Sequence, residues 1–192
     1  MGLKAELSRT KILTAAVVVM ERDGARALTL EKVAREAGVS KGGLTHHFKS
    51  KQELFLGLFD LVVGVMKGQL ETQLALEPED GVPGRMTRAY MRVNLEAIRN
   101  GEAESMRGLI EMLLADPGLV EKRRHELCGI HDRLECDGLD PVQAIALAAA
   151  SDGCWMNVLL GFYGPSDARV VTVHEYLFAL SRQPMWAAEV GQ

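Results

Sequence analysis

Residues Thr29 to Lys51, TLEKVAREAGVSKGGLTHHFKSK, decide the fold. Apolar or small residues at Leu30, Val33, Ala34 and Ala37 recur at helical spacing and give one buried face over two turns. Thr29 stands where an N-cap hydroxyl accepts from a free amide of the first turn. Gly38 follows at the position where a helix ending in the left-handed conformation favours a residue without Cβ. Ser40 then caps a second, short helix whose one inward anchor is Leu44. Two short helices joined by a Gly-containing turn of three or four residues form a helix-turn-helix. Ala34 suits a close helix crossing, and Ser50 with Glu53 reads as a capping box opening a longer helix.

Polarity and charge assign a partner to this hairpin. Ser40, Lys41, Thr45, His46 and His47 make the second helix too polar for a core element. Residues 1–51 hold 10 Lys/Arg against 5 Asp/Glu, hence +5, whereas residues 52–192 hold 12 against 21, hence −9. A basic head on an acidic body suits a nucleic-acid partner better than the net charge of −4 suggests. Lys41 and Lys51 are placed to bind phosphates, helped by the N-termini of their helices. Gly42 and Gly43 allow close approach of a DNA backbone. Thr45 and His46 are the candidates for base edges or thymine methyls, and Thr29, Ser40 and His47 complete the surface.

Residues 9–55, and above all the pattern G-V-S-K-G-x-L-x-x-H-F-x-S-K over 38–51, resemble the N-terminal domain of the tetracycline-repressor-like (TetR) family of bacterial transcriptional regulators. The resemblance implies an all-helical homodimer that binds double-stranded operator DNA and answers to a small-molecule effector, with Arg9 and Lys11 near backbone phosphates. Two positions depart from the family pattern. Gly43 stands where Thr is common and Thr45 where an aromatic is common, both on the DNA-facing side, so the operator sequence does not carry over.

The rest of the chain reads as helices only, about nine in all with the head. The first runs from about Ser8 to Arg22, with Ile12, Ala15, Ala16, Val19 and Met20 as its stripe. A helix from Ser50 to about Leu76 would be about 40 Å long, with apolar cover on two sides. Further helices are expected over 85–100, 102–115, 116–135, 140–161 and 167–182. Asp116-Pro117 and Asp140-Pro141 are start signals. The functional division falls at 51, with a DNA-binding domain over 1–51 and an effector-binding and dimerisation domain over 52–192.

Three cysteines without framework spacing fit a reducing compartment, and Met1–Ser8 is too short and polar for a secretion signal, so a cytoplasmic location is expected. Ala144–Tyr163 is long enough to span a bilayer, but Ser151, Asp152, Gly153 and Asn157 at its centre favour a buried helix of a soluble protein. Cys128, His131 and Cys136 sit at about 0°, −60° and +80° on a helical wheel, a poor tetrahedral set, so no metal is expected. No cofactor is expected either. An enzyme reading finds no nucleophile–base pair, no phosphate-binding Gly loop and no metal set.

In the body, the 140–161 helix has apolar or small residues all round. It is either a central core helix or half of a two-fold interface through Ala144, Leu147, Ala148, Ser151, Trp155 and Val158. Met and aromatic residues are either plain core or the lining of a largely apolar effector pocket, with Tyr90, Met91, Met106, Asp152, Trp155 and Met156 as its candidates. Asp152, the single charge of its stretch, has three open readings: a structural hydrogen bond or ion pair, a contact to a second copy, or a polar group orienting the effector.

Overall fold

The computed structural model describes the backbone of residues 3–183 and the side chains of these except 3, 4, 104, 105, 126 and 127. Met1 and Gly2 of the polar N-terminal stretch lie outside the described residues. The described residues form ten α-helices and no strand: α1 Leu3–Asp23, α2 Leu30–Glu36, α3 Lys41–His47, α4 Lys51–Leu76, α5 Arg85–Arg99, α6 Glu102–Ser105, α7 Arg107–Ala115, α8 Pro117–Glu135, α9 Pro141–Leu159 and α10 Ala168–Leu180. A single 3-10 turn, Ala25–Ala27, follows α1. α1 begins five residues before the expected Ser8, because Lys4, Ala5, Glu6 and Leu7 are all good helix formers although they add nothing to the apolar stripe. The stretch expected as one helix over 102–115 is two, broken at Met106, which accounts for the tenth helix.

The chain divides into two compact units. The first comprises Met1–Val65 and Ser105–Arg123. Ile12, Ala16 and Val19 of α1, Val33 of α2 and Ala37 just after it, Leu44 of α3, and Phe48 are buried in it, as the apolar spacing requires. α4 contributes Leu54, Phe55, Leu58 and Phe59 to the same core. α7 belongs here too. A Cβ on Gly108 would lie 3.4 Å from Cβ of Ala25 and 3.6 Å from Cβ of Met20, so this helix passes close to the end of α1. A bidentate ion pair of Arg123 with Asp60, at 2.6 and 3.0 Å, joins α8 to α4 within the unit.

The second unit comprises Met66–Glu104 and Arg124–Gln192, with its described part ending at 183. Leu70, Met86, Ala89, Val93, Ile130, Leu134, Ala144 and Ala148 form one cluster from α4, α5, α8 and α9. Leu95, Ile98, Ala103, Cys154, Val158 and Val170 form another, and Met91, Leu147 and Leu177 a third. α5 starts after Gly84, which holds the left-handed φ of +90°. The first amides of α5 are capped from 50 residues away: Met86 and Thr87 donate to the two carboxylate oxygens of Asp137 at 2.9 and 2.7 Å. Glu77 is buried and accepts from Arg88 at 2.8 Å and Arg92 at 2.7 Å. The Arg88 guanidinium, itself only 1% exposed, also donates to the carbonyls of Pro83 and Val82. Burial pushes the Glu77 carboxyl up, but the two arginines outweigh it and hold the group below the usual carboxylate range.

The packing of α9 exchanges the two faces of its wheel relative to the sequence reading. Ala144, Leu147, Ala148, Ser151 and Val158, assigned above to a partner copy, are buried within the protomer, and Trp155 is half-buried there. This side of the helix packs against α5 and α10. Ala146, Ala149 and Ala150 are left exposed with Val142, Met156 and Leu160; Val142 shows 68% of its surface. α10 presents Val173 and Tyr176 to solvent in the same way, Tyr176 at 64%.

Candidate functional site

In the first unit, α2 is closed at both ends, and α3 at its start, by the residues that the sequence singles out. The Thr29 hydroxyl accepts from the amide of Lys32 at 3.2 Å, and the Ser40 hydroxyl from that of Gly43 at 3.0 Å. α2 ends with the amide of Val39 donating to Ala34 at 3.0 Å and that of Gly38 to Arg35 at 3.2 Å. This double closure needs the φ of +62° that Gly38 adopts. At α4 the Ser50 hydroxyl accepts from the amide of Glu53, and the Glu53 carboxylate accepts from Lys49 at 2.8 Å, one residue before the cap. These local bonds set the angle between α2 and α3 and leave only Leu44 of α3 buried.

The outer surface of α3 carries the chemistry. Lys41, Gly42, Gly43 and His46 are exposed, and Thr45 and His47 half-exposed. Lys41 donates to Glu31 of α2 at 2.7 Å, a bond that holds its ammonium above the ordinary lysine value. Both side chains are largely in solvent, so a phosphate can replace the carboxylate at little cost. Thr45 donates its hydroxyl to the carbonyl of Gly42 at 3.1 Å. The rings of His46 and His47 stand edge to face, 5.5 Å apart. Arg9 lies over the ring of Phe48 at 5.3 Å, and Lys51 reaches the carbonyl of Ala25 at 3.5 Å. Arg22 and Lys32 are held by Asp23 and Glu36. Arg9, Lys11, Arg26, Arg35 and Lys49 have no acidic partner among the described residues. These cations keep the head attractive to a polyanion.

The second unit contains a polar cluster shared by α5, α9 and α10. Tyr90 donates to Oδ1 of Asp152 at 2.7 Å. Asn94 donates to the same oxygen at 2.8 Å and to the hydroxyl of Ser151 at 3.1 Å. Ser151 lies 3.0 Å from Nε2 of His174, whose Nδ1 is 2.8 Å from the carbonyl of Val170. That carbonyl accepts, so Nδ1 carries the proton and Nε2 accepts from Ser151. Burial, then the charge of Asp152, pushes the Tyr90 phenol well above its ordinary range, so it stays a neutral donor. Burial likewise pulls His174 down, against the opposing pull of the Val170 carbonyl. A serine bonded to an imidazole resembles an activated nucleophile, but both residues are wholly buried and leave no approach for a substrate. Asn94 and His174 were not singled out in the sequence. Their signal is a polar residue inside the apolar stripes of α5 and α10.

The six residues assigned to an effector pocket are not one group. Tyr90 and Asp152 touch, whereas Met91 packs with Leu147 and Leu177, and Trp155 with the cluster around Leu95 and Val158. Met156 is exposed, and Met106 belongs to the first unit.

Two family models match the chain. One, described as bacterial regulatory proteins of the tetR family, covers residues 12–58, and the other, described as a tetracyclin repressor-like C-terminal domain, covers 84–182. The HTH-type transcriptional regulator RutR of Escherichia coli is 29% identical over 121 residues, which are 63% of this chain and 55% of that protein. The chain thus spans about half the length of the curated relatives it matches in this way. Among solved structures, the multidrug binding protein EbrR complexed with ethidium superposes with a TM-score of 0.68 at 26% identity, over 90% of this chain and 98% of that one. A tetR-family member from Streptomyces coelicolor gives the same TM-score and identity, over 90% and 97%.

Proposed function

Because this chain belongs to the tetracycline-repressor-like family of bacterial regulatory proteins, we propose that it is a DNA-binding transcriptional regulator, a repressor released from its operator by a small-molecule effector. The observation that carries this reading is α3, a seven-residue helix capped by Ser40 that buries Leu44 alone and turns Lys41, Gly42, Gly43 and His46 outward. In the proposed complex, Lys41 leaves Glu31 for a phosphate, Lys51 and Arg9 hold the flanking backbone, and the bare turn at Gly42 and Gly43 lets the duplex come close. The Thr45 methyl and the His46 ring read base edges in the major groove.

The regulator works as a homodimer through the exposed faces of α9 and α10, where Ala146, Ala149 and Ala150 permit close helix approach. Two recognition helices then sit about one duplex turn apart, roughly 34–36 Å. The functional boundary stays at 51, with effector binding and dimerisation carried by 52–192. α4 runs from the head into the body sequence and transmits the change. An effector that binds a splayed body more tightly draws population from the DNA-binding state. The effector is largely apolar and is held by the body near the Tyr90–Asp152 contact, and the likeness to EbrR makes ethidium the first probe to try. The protein performs no catalysis and acts in the cytoplasm. A gel shift with the DNA upstream of its own gene tests the reading. Retention of that fragment over unrelated duplex is expected, and equal retention of both would refute it.

A further inference from the structure

The acidic groups around α2 are of two kinds. Asp23 and Glu36 tie α1 to α2 through Arg22 and Lys32, with side chains 24% and 32% exposed. Glu31 differs. Its side chain is 72% exposed, and its one hydrogen-bond partner among the described residues is Lys41 of α3, 69% exposed, at 2.7 Å. We propose that Glu31 is a built-in competitor for the DNA backbone, an anion that occupies Lys41 in the free head and so sets the affinity for duplex of any sequence. The inference rests on the DNA-binding reading above and goes beyond it by naming the residue that opposes binding.

The pair is not needed to hold α2 against α3. Ala34 and Leu44 are buried, the amide of Val39 donates to the carbonyl of Ala34, and an ion pair so exposed adds little. Glu31 is not needed as a cap either, since the Thr29 hydroxyl already accepts from the amide of Lys32. A carboxylate in the first turn favours α2 through the helix dipole, but that effect requires no lysine. What the pair does change is the charge of the surface that meets DNA. Arg9, Lys11, Arg26, Arg35 and Lys49 have no acidic partner among the described residues, whereas Lys41, the one lysine of α3, is met by an anion that a phosphate must displace. The bond holds the Glu31 carboxyl below its usual range and the Lys41 ammonium above its own, so both stay charged at neutral pH. Once Lys41 turns to a phosphate, the carboxylate is left unpaired beside a second anion and opposes it.

The test is a double-mutant cycle on the full chain: parent, Glu31→Gln, Lys41→Ala and the two combined. Each is titrated by fluorescence anisotropy against a duplex from upstream of its own gene and against an unrelated duplex. Glu31→Gln, which keeps the shape and removes the charge, should tighten both duplexes about threefold per head, hence about tenfold for the two heads of a dimer. In the Lys41→Ala background the same change should gain less than about twofold, because the cation it frees is gone. The melting temperature of Glu31→Gln should match that of the parent. An equal gain in both backgrounds overturns the proposal, since Glu31 would then act on the phosphates without Lys41. A gain confined to the upstream duplex overturns it as well, because Glu31 would then act at base edges. Unchanged or weaker binding of Glu31→Gln, or a variant that melts early, assigns the pair to positioning or to the fold and overturns it too. A parent that binds the upstream duplex while Glu31→Gln gains nothing refutes this proposal alone. Equal retention of the two duplexes refutes the regulator reading and leaves this proposal to be decided by the cycle. A parent that holds neither duplex refutes both.

Discussion

Gly57 shows how one missing side chain shapes the head. A Cβ there would lie 2.7 Å from Cε1 of the buried Phe48 ring and 3.2 Å from both Arg9 Nη2 and Leu13 Cδ2. Alanine in mid-helix would favour α4 by about 1 kcal/mol, but forcing Phe48 aside costs about 1–3 kcal/mol. Gly57→Ala should therefore lower the denaturation midpoint of the chain, and a raised midpoint would mean that the ring has room to move. Arg9 rests on that ring, so the same variant should also weaken DNA binding. Lys41 illustrates the opposite case, a residue that stability does not need. Its exposed pair with Glu31 contributes little, so Lys41→Ala should leave the melting temperature unchanged. In a salt titration of operator binding, the same variant should reduce the slope by about 1, because one phosphate is no longer neutralised. An unchanged slope means that Lys41 does not meet a phosphate.

Between elements, buried polar groups do the joining, and each responds to pH or charge in its own direction. His174 ties α10 to α9 through Ser151, and burial holds its pKa below that of the unfolded chain. Where the unfolded state takes up a proton that the native state refuses, stability falls with acidity. The described fold should lose stability as pH drops below about 6.5 towards the lower native value, and should be insensitive to this group above it. His174→Gln, followed by denaturant melts between neutral and mildly acidic pH, should flatten that slope. Glu77 joins α5 to the turn before it. Glu77→Gln would leave Arg88 charged and buried with half its partner gone, a loss of about 3–5 kcal/mol. A loss under about 1 kcal/mol in chemical denaturation would show that the carbonyls of Val82 and Pro83 suffice for the guanidinium.

For the molecule as a whole, the exposed apolar side of α9 and α10 is the feature that a solitary chain does not explain. Val142, Ala146, Ala149, Met156 and Leu160 on one helix and Val173 and Tyr176 on the other form the kind of surface that monomers seldom expose. Ala149→Arg places a charge on it without disturbing the buried face. Sedimentation at micromolar concentration should show the dimer reduced to monomer, with the helical content intact. A dimer that survives the arginine uses another surface. The described helices include none long and apolar enough to cross a membrane.

What the sequence determined by itself is what depends on near neighbours along the chain. A hydroxyl at Thr29 or Ser40 bonds an amide three residues ahead, and Gly38 takes a positive φ because nothing else takes it as readily. Apolar residues at helical spacing in α1 and α2 have a single side to bury. The helix-turn-helix and most helix limits follow from these bonds, and so does the polarity of α3. What the tertiary structure decided depends on residues far apart. Both wheel faces of α9 are apolar, and the choice fell to the shapes of α5 and α10 and to Asn94 and His174, which take up Ser151. The cap on α5 comes from Asp137, the partners of Glu77 lie on the next helix, and Asp152 finds Tyr90 62 residues away. No spacing rule reaches across such distances, because there the packing of whole helices chooses which side chains meet.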